Sequence, residues 1–158
     1  MKFKEAQALS GVSDFHDTFG LPVLDEPVIP SKARCDLRIS LLQEELNELK
    51  AAIDDNDLTE VADALCDLQY VLSGAILEFG IGSKFADLFE EVQRSNMSKA
   101  CETEDQVAKT IEHYKREKGE ESTYKKSDEK YIVYRKSDGK VFKSIDYSPA
   151  DLNKILEK

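Results

Sequence analysis

The sequence predicts an all-α bundle with a small C-terminal β-hairpin, and three observations carry that expectation. Leu42, Leu46, Leu49 and Ile53 recur at the spacing of one helix face, and Val61, Leu65, Leu68, Leu72 and Ile76 repeat the stripe on a second helix. Asp54 to Asp57 leaves only a short turn between them. Strand-like alternation is confined to YIVYRKSDGKVFKSI, where Asp138-Gly139 is a hairpin-turn signal.

In chain order, a first helix is expected from about Lys4 to Phe19, with Ala8, Val12, Phe15 and Phe19 on one side. Three prolines in GLPVLDEPVIPS rule out a continuous helix there and imply an extended strap over the bundle. Ser31 is placed to cap the long second helix. Asp57 caps the third, with Glu60 at the capping-box position, and Gly80 stops it. Ser83 opens a fourth helix, SKFADLFEEVQRSNMSKA, in which Phe85, Leu88, Phe89 and Val92 are apolar. Thr103 with Gln106 reads as a capping box for a fifth, whose narrow stripe is Val107, Ile111 and Tyr114. The stretch KREKGEESTYKKSDEK reads as a mobile charged loop. Ser148-Pro149 with Asp151 opens a short terminal helix. The expectation is one domain over 1–158: bundle about 3–118, charged loop 119–129, hairpin and terminal helix 130–158.

Composition narrows the function. The chain has 158 residues, enough for a real core, and a formal net charge of -10, which argues against nucleic acid as a partner. Small phosphorylated ligands remain compatible through bridging metal ions. The start, MKFKEAQALSG, lacks a signal-peptide apolar run, and no window approaches the ~20 apolar residues of a membrane helix. Cys35, Cys66 and Cys101 are widely spaced with no CxxC, as expected of reduced thiols in the cytoplasm. His16 and His113 lie far apart, which argues against zinc. No nucleophile elbow, P-loop or GxGxxG is present.

The chemistry-bearing pattern lies beside the apolar stripes. Glu45 and Glu48 are one turn apart, with Glu44 adjacent, and Glu60, Asp63 and Asp67 form one acidic row on the next helix. Like charges at such spacing oppose helix formation by roughly 0.2–0.5 kcal/mol per pair. No lysine or arginine interleaves them between Glu60 and Leu72. A divalent cation such as magnesium would remove that cost; a solvated acidic face is the alternative. Further on, Arg94, Asn96 and Lys99 offer charge-assisted donors to phosphate, or merely complement a helix C-terminus.

These pieces carry a family resemblance. ELNE followed by EVAD resembles the ExxE…ExxD signature of the all-α, MazG-like nucleoside triphosphate pyrophosphohydrolases. The nearer likeness is to phosphoribosyl-ATP pyrophosphohydrolase-like proteins, sometimes labelled HAD-superfamily Cof-like. It runs in serial order through FHDTFG, EELNEL, EVADALCDLQYVLSGAILEFGI, EVQRSNMSK, and RKSDGKVFK with SPADL. The segment from Cys101 to Tyr131 is longer and more charged than that subgroup suggests, and the ExxE-to-ExxD spacing is short. No DxDx motif is present, so phosphoaspartate chemistry is set aside.

The resemblance implies a MazG-like bundle that cleaves a (d)NTP to (d)NMP and pyrophosphate with Mg2+, for which Mn2+ would substitute. It implies Glu45, Glu48, Glu60 and Asp63 as metal ligands, with Asp67 as an orienting or additional ligand. The general base would be a motif glutamate such as Glu45, or Glu44. Arg94 and Lys99 would hold outer phosphates and Asn96 sugar or phosphate. Phe15 and Phe19 read first as core-packing residues, with stacking on the base as the alternative; Tyr70 has the same two readings. Lys140 and Lys143 on the hairpin would close over the site or only pad the bundle. Relatives of this group assemble as homodimers or homotetramers. Two other classes compete: a nucleotide- or metal-binding regulatory module without turnover, and a plain helical interaction protein.

Overall fold

The computed structural model describes residues 3–157, so Met1, Lys2 and Lys158, included in the expected domain span, lie outside the described residues. The elements are α1 (Ala8–Phe19), α2 (Lys32–Asp54), α3 (Leu58–Glu78), a 3-10 turn (Gly82–Lys84), α4 (Phe85–Met97), α5 (Glu104–Lys118), β1 (Ser122–Ser127), β2 (Lys130–Arg135) and α6 (Asn153–Leu156). This is the helical architecture with a two-stranded antiparallel hairpin that the sequence predicts. The chain forms two compact units, the first ending at Phe85 and the second beginning at Ala86.

In the first unit α1 and α2 both pack on α3. α1 begins at Ala8 rather than near Lys4, because residues 3–7 are exposed and have nothing to pack against. Gly20 closes it in the left-handed conformation, φ 66°. The strap that follows is extended and tied to the end of α3: Leu24 N–H donates to Leu77 O and Val28 N–H to Phe79 O, both at 3.0 Å. At Gly80, φ 67°, a Cβ would lie 1.8 Å from the Glu26 carbonyl oxygen, so only glycine lets the strap cross there. Ser31 stands at the N-cap of α2 but its hydroxyl makes no capping bond; its carbonyl accepts from Arg34 and Cys35 instead. Asp57 does cap α3, accepting from the N–H groups of Thr59 and Glu60.

The two stripes differ from the expected core faces. Ile76 is buried and Leu42, Leu49, Val61 and Leu68 are half-buried, but Leu46, Ile53, Leu65 and Leu72 are exposed. The reason is steric: along the acidic half of the α2–α3 pair the buried positions are Ala52 and Ala64, with Ser73 and Gly74 further on, so the larger side chains there flank the contact.

The second unit has its own core of Cys101, Val107, Val133 and Phe142, with Ile111, Tyr114 and Tyr131 packed on it. The expected capping box is present: the Thr103 hydroxyl accepts from Gln106 N–H and the Gln106 side chain bonds back to the cap. α4 ends at Met97, three residues short of the expected run, and leaves Lys99 in the turn beyond. The hairpin differs more. Its strands are β1 and β2, in register Ser122↔Arg135 through Ser127↔Lys130. The supposed mobile loop therefore supplies a strand, and Asp128, at φ 53°, makes the turn. Asp138-Gly139 is also a turn, but it returns only a single bridge, Tyr134↔Val141. α6 starts at Asn153, later than expected, because Ser148 to Asp151 is drawn into hydrogen bonds with side chains of α4 and the turn after it.

Candidate functional site

The acidic rows meet in the first unit. An open cavity of about 400 Å³ lies between the C-terminal part of α2 and the start of α3, lined by Glu48, Ala51, Ala52, Asp55, Asp57, Glu60, Asp63 and Ala64. The small alanines make the space, and no lysine or arginine enters it. One turn back along α2, Glu45 is half-buried. Burial, then the charges of Glu48, Asp67, Glu44 and Asp63, push its carboxyl above the ordinary glutamate value. Glu45, Glu48, Asp63 and Asp67 thus share one electrostatic neighbourhood across the α2–α3 seam.

Glu44 faces elsewhere. With Ser40, Gln43 and Asn47 it lines an open groove of about 580 Å³ on the outer side of α2. Among the described residues, no three or more His, Cys, Asp or Glu side chains converge closely enough to hold a metal ion as they stand. The donor set is nonetheless chemically suited to one. It is all carboxylate oxygen, it lacks a neutralising side-chain cation, and beside it the Glu45 carboxyl is raised by burial and then by the neighbouring carboxylates. Asp55 and Asp57 line the same cavity and were missed in the sequence, where the turn DDND reads only as helix punctuation.

Phe15 and Phe19 are not core residues. Their rings touch at 4.3 Å between centroids, and Phe15 meets Tyr70 edge-on at 5.6 Å. Phe19 is 65% exposed, so the three rings form a platform open to solvent. Tyr70 lies one turn beyond Asp67 on α3, which sets the platform beside the acidic row.

The expected phosphate donors lie in the second unit and are partly committed. Arg94 donates to both carboxylate oxygens of Glu91, at 2.7 and 2.8 Å, and to Pro149 O at 3.0 Å. That fork, with a bond from Asp151 N–H, draws the Glu91 carboxyl down to about 2. Lys99 donates to Asn96 Oδ1 at 2.8 Å, so two of the expected donors bind each other. Tyr147 joins this group. Its hydroxyl bonds to Ser95, the Lys143 ammonium sits over its ring at 4.2 Å, and the Ser95 bond, with Lys143 and Lys99 nearby, lowers its pKa. Lys143 therefore shares the environment of Lys99.

The comparison with known families decides what this seam belongs to. A family model described as phosphoribosyl-ATP pyrophosphohydrolase matches residues 12–96, more than half of the chain. The chain belongs to the phosphoribosyl-ATP pyrophosphohydrolase family. The matched span holds both acidic rows and the aromatic platform, so the candidate site lies inside the family region. A second similarity extends past it: an uncharacterized protein of Acanthamoeba polyphaga mimivirus is 23% identical over 244 aligned positions, covering 98% of this chain and 97% of that protein. Membership of the phosphoribosyl-ATP pyrophosphohydrolase family makes this a pyrophosphohydrolase-type chain, with nucleotides as the substrate class. No single helix among the described residues is long and apolar enough to cross a membrane.

Proposed function

We propose that this protein is a magnesium-dependent nucleoside triphosphate pyrophosphohydrolase that converts a (d)NTP to the (d)NMP and pyrophosphate. The observation that carries the reading is the carboxylate cavity between α2 and α3, which holds no cationic side chain within the family-matched region. Magnesium, or manganese in its place, would neutralise the charge of the carboxylates and of the triphosphate together.

Glu48, Glu60 and Asp63, all on the cavity wall, are the proposed metal ligands together with Glu45, and Asp67 orients Glu45 or binds beside it. For the general base, Glu45 is favoured over Glu44. Its carboxyl is half-buried at the seam among Glu48, Asp63 and Asp67, whereas Glu44 opens onto the outer groove. Phe15, Phe19 and Tyr70 are proposed to receive the base, because their rings present an exposed face beside Asp67. In the second unit Lys99 and Asn96 are proposed as donors to phosphate oxygen, while Arg94, bound to Glu91, serves first to hold the C-terminal segment. A second copy of the chain is the proposed partner for the exposed Leu46, Ile53, Leu65 and Leu72, as a homodimer or homotetramer. Light scattering at several concentrations reads that directly, and a monomer throughout would overturn it.

The reaction is tested by incubating the protein with a panel of NTPs and dNTPs, with magnesium and with EDTA. Monophosphate and pyrophosphate formed only with magnesium are the expected products. Orthophosphate without pyrophosphate would overturn the cleavage position. No product together with no magnesium effect on melting would leave an interaction protein, and magnesium binding without turnover a regulatory module.

A further inference from the structure

The same two helices that carry the acidic seam are joined, toward their other ends, by a buried ionic cluster the reaction does not use. Glu78 of α3 is 1% exposed and accepts from two arginines of α2. Arg38 Nη2 donates to its Oε1 at 2.5 Å, and Arg34 donates through Nε to Oε2 at 3.0 Å and through Nη2 to Oε1. Arg38 Nη2 also lies 3.2 Å from Nε2 of buried His16, whose Nδ1 is 2.8 Å from Pro22 O. Pro22 O accepts only, so Nδ1 carries the proton and Nε2 accepts from Arg38. One guanidinium thereby ties α2 to α3, to α1 and, through His16, to the strap.

We infer that Arg38, held by Glu78 and His16 in the slot over Gly74, is a positioning residue that fixes the register of α2 against α3 and so the spacing of Glu45 and Glu48 opposite Asp63 and Asp67. The inference rests on the proposed metal site. Three observations support it. First, the carboxylates across the seam repel one another, so the helix pair needs an attraction of opposite sign to hold alignment before a cation arrives. The Arg38–Glu78 pair supplies it between the same two helices.

Second, the fit is one of shape. A Cβ on Gly74 would lie 2.6 Å from Arg38 Nη1 and 3.1 Å from His16 Nε2, so the guanidinium occupies the space a side chain would take. A slip by one helical turn, about 5.4 Å, would bring another residue under it. Third, stability alone does not account for the cluster. Buried ion pairs are often no better than apolar replacements, and their best-attested use is to select one register. Arg38 Nε is itself buried with no hydrogen-bond partner, an arrangement that places the group without saturating it. Arg38 lies seven residues before Glu45 on α2, and Gly74 seven after Asp67 on α3. In a helix hairpin those spacings put both pairs on one seam, about 10 Å apart along the axis. His16 adjoins Phe15 on α1, and the Phe15 ring itself meets Tyr70 of α3 at 5.6 Å, a separate contact between α1 and α3.

The test uses the full chain with Arg38→Met, Arg38→Lys and Gly74→Ala. Mn2+ binding is titrated by electron paramagnetic resonance, and nuclear Overhauser contacts between α2 and α3 are read without metal. Arg38→Met is expected to keep helical circular dichroism, shift the contacts between the helices, and weaken Mn2+ binding about 10–100-fold. Arg38→Lys, which keeps the charge but not the fork, should fall between it and the parent. A folded Arg38→Met with parental contacts and Mn2+ affinity overturns the inference. Should that variant fail to fold, Gly74→Ala decides: it displaces the guanidinium without removing it, and unchanged contacts and affinity overturn the inference equally. Absence of Mn2+ binding and turnover in the parent would instead overturn the proposed function, and the contacts between the helices would still decide the register.

Discussion

The ring of Phe15 meets that of Tyr70 edge-on, with centroids 5.6 Å apart, so α1 touches α3 one turn from Asp67. If a base stacks there, Tyr70→Ala and Phe15→Ala each lose about 1–3 kcal/mol of binding, a rise in KM of roughly 5- to 150-fold. kcat should stay near the parent, because neither ring reaches the carboxylates' chemistry. Steady-state kinetics with nucleotides and with base-free tripolyphosphate check this: only the nucleotide KM should move.

The acidic seam makes an opposite pair of predictions for a single change. Glu48→Gln or Asp63→Asn removes repulsion, so the metal-free protein should melt roughly 1–2 °C higher. The same variants should lose magnesium-dependent turnover and magnesium-induced stabilisation. Thermal melts with and without magnesium read both, and a variant that still gains the parental stabilisation would remove its residue from the ligand set.

Acid should act on the first unit in two stages of opposite sign. Glu45, whose carboxyl is raised by burial and then by Glu48, Asp67, Glu44 and Asp63, costs stability when ionised, so stability rises as pH falls through its pKa. Glu78 works the other way. Burial opposes its charge most of any single cause, but the hydrogen bonds from Arg34 and Arg38 together outweigh it and hold the carboxyl below the usual range. Its contribution is present above the ordinary glutamate pKa and is lost as pH falls through the lower folded value. Urea melts from neutral to strongly acid pH should show a small gain and then a loss, and Glu45→Gln should abolish the gain alone.

Two glycines with the same backbone hand should differ in tolerance. Gly80→Ala drives a Cβ against the Glu26 carbonyl at 1.8 Å and a φ of 67°, and should cost several kcal/mol by detaching the strap. Gly139 has φ 73° with nothing within 4 Å, so its alanine variant should cost only about 1 kcal/mol. Comparing the two melting temperatures separates clash from backbone strain.

Local signals in the chain proved readable, and long-range ones did not. The Asp57 cap, the Thr103–Gln106 box and the Gly80 stop are decided within a few residues and stand as expected. The strand β1 escaped because STYKKS is charged and mostly exposed; it is a strand only through pairing with β2. Periodicity identified the faces carrying Leu46 and Leu65 but not what would cover them, since burial depends on the partner surface. Arg94 read as a free donor, yet Glu91 sits one turn before it and takes both ends of its fork. Arg38 and Glu78 are separated by 40 residues, and nothing in either neighbourhood announces that they meet.

The C-terminal segment has a consequence for how this protein comes apart. Between Ile145 and Asp151 the backbone finds partners in side chains: Thr110 takes the N–H of Ile145, Ser98 that of Ser148, Glu91 that of Asp151, and Arg94 caps Pro149 O. A β-ladder releases its bonds together, but rungs that hang on separate side chains let go one at a time. Hydrogen exchange along 145–151 should therefore be graded from amide to amide, each with its own protection, and removing the Ser98 hydroxyl should unprotect Ser148 while leaving Ile145 slow.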